Sequence, residues 1–223
     1  MSLHPFSVRT TAVFGLLACL GWTAVAADHY DLKPQTIELT SSGPLAFGPD
    51  GILFVSDPKA ATVYAIDTKS YRSKTKTDSA AFASDDVRKS IADITGKSES
   101  DVTVADMTID PESGTLFLST VVAGEAKLAV MTPGSDAKLV SMDKVMAAST
   151  TLQNAPEDKV TGEGRRASNK RLESITDLAF AEGRLLISGL TGSSPVSTVQ
   201  SFQFPFRDSS TSAQVEIFHA AHG

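Results

Sequence analysis

The chain has 223 residues, of which 41% are hydrophobic and 21% charged; these are ordinary values for a folded domain and exclude wholesale disorder. Its length allows one domain with a sizeable core or two small ones. A net charge of −6, with no basic stripe and no interleaved aromatics, argues against nucleic acid as a partner.

Residues 1–27 read as an export signal. Arg9 supplies the basic start, residues 12–22 (AVFGLLACLGW) the apolar run, and Ala24-Val25-Ala26 a small-residue cleavage site. The run is too short to span a bilayer, so no transmembrane span is expected and the mature chain belongs in the periplasm or outside the cell. Cys19 is the only cysteine, and residues 16–19 (LLAC) loosely resemble a lipobox. A lipid anchor at Cys19 is therefore the alternative to simple cleavage near Ala26. The mature domain is expected to have neither disulfide nor thiol ligand.

The mature domain, residues 28–223, is organised as a repeat. Ile37 and Leu39 alternate as a short entering strand. Residues 44–67 then give an apolar strand (Leu45, Phe47), a Gly48-Pro49-Asp50-Gly51 turn, a second strand (ILFVS, ending at Ser56), a polar break at Asp57-Pro58-Lys59 and a third strand through Val63 and Ile66. A basic, solvated connection follows at residues 69–78. Ser84 is placed to cap a helix carrying Val87, Ile91 and Ile94 on one stripe, closed by Gly96 and lying outside the sheets.

A second copy begins at Val102. Met107 and Ile109 take the places of Leu45 and Phe47, residues 110–114 (DPESG) form the turn, TLFLS ends at Ser119, KLAVM is the third strand, and residues 138–142 (KLVSM) are the candidate fourth. Residues 143–148 suggest a short helix, and residues 153–173 a charged, irregular loop. A third copy starts at Ile175, with Leu178 and Phe180, a Glu182-Gly183 turn, RLLIS ending at Ser188, and a strand carrying Val199, Phe202, Phe204 and Phe206 that Pro205 breaks near an edge. Residues 215–218 are the candidate for its last strand. Three matches to one template predict an all-β fold, a β-propeller of four-stranded antiparallel blades at about residues 37–68, 102–142 and 175–218, with one or two inserted helices. Three blades fall short of the usual ring, which makes a partial propeller the expectation and a small four-bladed ring the alternative.

The pattern of residues 44–67 resembles that of NHL-repeat propellers and of the SMP-30/gluconolactonase group, in which a Gly-Pro step precedes an apolar strand, a tight Asp-Gly turn and a second apolar strand. The NHL resemblance implies a binding scaffold without transferable catalytic residues. The lactonase resemblance implies a divalent metal held in part by a Glu directly before the Gly-Pro step, where this chain has Ser42.

Candidate chemistry is sparse. Asp106 and Asp177 occupy the same place in the second and third copies, at the start of the innermost strand, and could line a ligand or metal site with Glu173. The plainer reading is that they accept hydrogen bonds from turn or neighbouring-strand N–H groups. His219 and His222 are a weak metal-binding pair without a nearby acidic partner. The expected function is that of an exported, non-catalytic scaffold that needs no cofactor and binds a small molecule or protein. A metal-dependent lactonase using Asp106, Asp177 and Glu173 is the alternative.

Overall fold

The structure is a computed structural model that describes residues 29–73, 86–192, 196–207 and 210–214. The expected signal segment, Cys19, Ser84, residues 215–218, His219 and His222 lie outside the described residues. The fold is mostly β, all pairings are antiparallel, and no sheet among the described residues closes on itself.

Sheet 1 has five strands, β1 (Lys33–Gln35), β2 (Leu45–Phe47), β3 (Ile52–Asp57), β4 (Thr62–Asp67) and β9 (Val145–Thr151), in the spatial order β1-β9-β4-β3-β2. Sheet 2 has four, β5 (Val102–Ile109), β6 (Leu116–Val122), β7 (Glu125–Met131) and β8 (Lys138–Leu139), in chain order. Sheet 3 likewise runs β12 (Asp177–Ala181), β13 (Arg184–Thr191), β14 (Val196–Gln203), β15 (Ser210–Gln214). A two-stranded ribbon, β10 (Val160–Thr161) with β11 (Ser168–Asn169), and one helix, α1 (Val87–Thr95), complete the described elements.

The continuous run Ile52-Leu53-Phe54-Val55 is at most 1% exposed, which a strand achieves only when both faces of its sheet are covered. Sheet 1 is therefore the middle layer. On one face Ile52, Phe54, Val63 and Ala65 pack with Leu178, Leu185, Ile187 and Phe202 of sheet 3. On the other Leu53, Val55 and Ile66 pack with Phe117, Leu128 and Val130 of sheet 2. The far face of sheet 2, with Leu116, Leu118, Ala129 and Met131, is covered by Ile91 and Ala92 of α1. Each large side chain so buried contributes about 1.5–3 kcal/mol relative to exposure.

The three hairpins that the template identified share one register: Leu45 faces Val55, Met107 faces Leu118, and Leu178 faces Ile187. Strand β2 lies against both β12 and β5, so the three equivalent strands are neighbours. Equivalence of register is not equivalence of environment. Leu45 and Leu178 are 6% and 7% exposed, whereas Met107 is 62% exposed: the cluster under α1 takes in Val102 and Val104 at the start of β5 but not Met107.

Four expectations are corrected. Residues 143–148 are not helical: Val145–Thr151 is strand β9, with Val145 and Ala147 buried and Met146 and Ala148 half-buried, and it pairs with β4. Free strand edge outweighed a short ambiguous run. The entering strand is Lys33–Gln35, at the sheet edge where Pro34 is tolerated, while Ile37 and Leu39 pack as irregular chain into the core between sheets 1 and 2. The first sheet thus takes its fourth strand from beyond the second. Residues 153–173 are not wholly irregular, since the β10–β11 ribbon and two 3-10 turns lie there. Finally, Phe204 and Phe206 follow the end of β14 instead of continuing its face; the chain turns at residues 204–206 and both rings still join the core around Phe54.

The inserted helix is as expected in kind, but its cap is Asp86 where Ser84 was expected: Asp86 accepts from the Lys89 N–H at 3.0 Å, and Gly96 ends the helix at φ +64°, a left-handed conformation that suits glycine. Gly189 serves a different need: a Cβ there would lie 2.0 Å from the Ser174 carbonyl oxygen, so only glycine lets the chain leading into β12 cross so close to β13.

Candidate functional site

The carboxylates singled out from sequence are put to three different uses. Asp106 sits beside a bulge in β5 and its Oδ2 accepts the Leu45 N–H of β2 at 2.8 Å, tying an edge strand of sheet 2 to an edge strand of sheet 1. This is the hydrogen bond to a neighbouring strand given above as the plainer reading. Asp177 is exposed and accepts the N–H of its own neighbour Leu178 at 2.8 Å. Glu173 ends a 3-10 turn and pairs with Lys170 at 2.7 Å. No group of three or more His, Cys, Asp or Glu side chains among the described residues is arranged to hold a metal ion. One oxygen of Asp106 is thus committed to a backbone amide, and Glu173 to an ammonium.

Two further carboxylates, Asp57 and Asp110, tie separate segments of chain together, and the sequence reading passed them over as turn residues. Asp57 is fully buried at the end of β3. Its oxygens accept the Thr40 N–H at 2.6 Å, the Thr40 hydroxyl at 2.9 Å, the Ser41 hydroxyl at 2.6 Å and the Ala60 N–H at 3.1 Å. It therefore pins residues 40–41 to the β3–β4 turn. The Asp57 charge, together with burial as the larger cause, raises the pKa of Tyr64. Asp110 is 1% exposed in the β5–β6 turn and takes Arg72, the Ser113 hydroxyl and the Glu112 N–H. Burial opposes its ionisation, but those hydrogen bonds and the Arg72 charge prevail and hold its carboxyl below the usual range. Arg72 also packs over Gly51, so it links the turns of sheets 1 and 2. A Thr-Ser pair preceding an Asp-Pro turn, and an Asp opening a DPESG turn, are the only sequence signals for these roles.

A cleft of about 680 Å³ is lined by residues 37–40, 124–128 and 139–142. It exists because the chain changes sheets. Val140 still donates to the Leu128 carbonyl at 2.8 Å, but the Ser141 N–H turns to the Tyr71 hydroxyl at 2.9 Å and the Met142 carbonyl accepts the Ile37 N–H at 2.9 Å. From Val140 onward the strand therefore leaves β7 for sheet 1, and the space between them opens. Ile37, Leu128 and Val140 form buried floor, with Glu38 and Glu125 exposed at the rim and Lys127 paired to Glu125 at 2.8 Å. A smaller cavity of about 330 Å³ lies against sheet 3, lined by Glu173, Thr176, Ser188 and Ser197 among others. The cleft was not legible in the sequence, because its walls come from three segments that only the change of sheets brings together.

Comparison with protein-family models, with curated proteins and with solved structures finds no match to this chain. Among the described residues no helix is long and apolar enough to cross a membrane.

Proposed function

We propose that the chain is an exported, non-catalytic scaffold of β-propeller type, akin to NHL-repeat propellers, that binds a small molecule or a protein partner in the cleft of residues 37–40, 124–128 and 139–142. The observation that carries this reading is the cleft itself: an apolar floor with a polar rim at the margin of two packed sheets, the usual setting of a binding site. The uses of Asp106 and Asp110 support it, since each is engaged in joining sheets 1 and 2, as does that of Asp57, which pins residues 40–41 to the β3–β4 turn. Export rests on residues 1–27.

A crystallographic fragment screen on the mature chain, paired with thermal melts in Ca²⁺, Mg²⁺, Mn²⁺ and Zn²⁺, tests the proposal. Fragments are expected in the cleft, and the melting temperature is expected to be indifferent to the metals. Fragments confined to other places, or a metal-dependent rise in melting temperature abolished by Asp106→Ala, would overturn it in favour of a metal-dependent hydrolase.

A further inference from the structure

The margin of the cleft is an unfinished strand edge. The β6–β7 hairpin turns on two residues, Ala123 (φ +50°) and Gly124 (φ +84°), so Val122 and Glu125 form the hydrogen-bonded pair that closes it. Backbone groups of an antiparallel strand point to alternate sides. Glu125 and Lys127 therefore turn towards β6, and Ala126 and Leu128 turn away from it. The Leu128 carbonyl meets Val140, as described above, but β8 reaches no further along β7. The N–H and C=O of Ala126 and the N–H of Leu128 are left facing the cleft, with no partner strand among the described residues.

We propose, on the reading that this cleft is the binding site, that its occupant is an extended peptide segment that adds as a strand to the β7 edge at Ala126. Main-chain pairing supplies the attachment, and alternate side chains supply the selectivity. Residues pointing inwards meet the floor of Ile37 and Leu128 and so are apolar. Residues pointing outwards run past Glu38 and Glu125, two carboxylates against the single ammonium of Lys127, and so are basic. Glu38 has no ion pair among the described residues, which leaves its charge for the partner. The segment recognised is thus short, extended and alternately apolar and basic.

The probe is the peptide acetyl-Val-Lys-Val-Lys-Val-amide, titrated into the mature chain and followed by backbone amide NMR. Saturable shifts at Ala126 and Leu128 are expected, and binding is expected to weaken with salt. Ala126→Pro removes the outward N–H without touching a bond to β6, and should lower affinity about tenfold. The same peptide N-methylated at its central valine should lose binding to the unaltered protein, which keeps the test independent of any effect of proline on folding. Binding that survives both changes, or an all-glutamate analogue that binds as well, would overturn the proposal. So would a concentration-dependent dimer broken by Ala126→Pro, which would make a second copy the occupant. Fragments found in the cleft while the peptide fails would remove the peptide alone and leave the binding scaffold standing.

Discussion

The two faces of the middle sheet are held by different physics. Against sheet 3 the contact is aromatic: Phe54 lies within 5.1–6.0 Å of the rings of Phe180, Phe204 and Phe206, and Tyr30 stacks on Phe204 at 5.2 Å. Apart from the Ser174 hydroxyl donating to the Pro58 carbonyl at 2.9 Å, polar cross-links are few there. Against sheet 2 the contact is mainly aliphatic and stitched by polar bonds: Asp106 to the Leu45 N–H, the Ser42 hydroxyl to the Thr120 carbonyl at 2.6 Å, and Arg72 to Asp110. A face closed by rings depends on shape and area, whereas a face closed by carboxylates depends on their charge.

The largest effect should come from the aromatic side. Phe54→Ala removes the ring on which three others converge and should cost about 3–5 kcal/mol in urea unfolding, as large core truncations do. A loss below about 1 kcal/mol would mean that sheet 3 is not seated on sheet 1 through that ring.

One group on each side of the middle sheet should act at opposite ends of the pH scale. The Asp110 carboxyl is depressed in the folded chain, so its contribution is present above the unfolded carboxylate pKa and is lost as pH falls through the lower folded value. Asp110→Asn should cost about 2–3 kcal/mol at neutral pH and shrink the acid limb of the stability curve. Tyr30, on the aromatic side, donates to Asp50 at 2.6 Å; burial first, then that carboxylate, pushes its pKa up to about 12. The unfolded phenol ionises from about 10, so stability falls as pH climbs from there to about 12. Tyr30→Phe should flatten that alkaline limb and leave the acid limb unchanged. Acid and alkaline limbs that respond to the same substitution would erase the distinction between Asp110 and Tyr30.

What the sequence revealed of this molecule was local. ILFVS, TLFLS and RLLIS announce themselves because each is an apolar run bounded by a turn, and their hairpins are closed within a few residues. Strand β9 was hidden because its partner β4 lies some eighty residues earlier (Ala65 against Ala148), and nothing in VMAASTT records that edge. The cleft was hidden for the same reason, as it follows from Val140 leaving β7 for sheet 1. Asp106 was visible as a recurrent position and its kind of bond was the plainer reading, yet its partner Leu45 is on another sheet, so the use could be expected but the partner could not be named.

Asp106 is a clasp between sheets 1 and 2, and amide hydrogen exchange at Leu45 measures that directly. Slow exchange at Leu45 in the unaltered chain is expected, lost in Asp106→Ala with a destabilisation of about 1–2 kcal/mol, while Leu178, whose amide is held by Asp177, keeps its rate under native conditions. Fast exchange at Leu45 in the unaltered chain, or protection that survives Asp106→Ala, would contradict it.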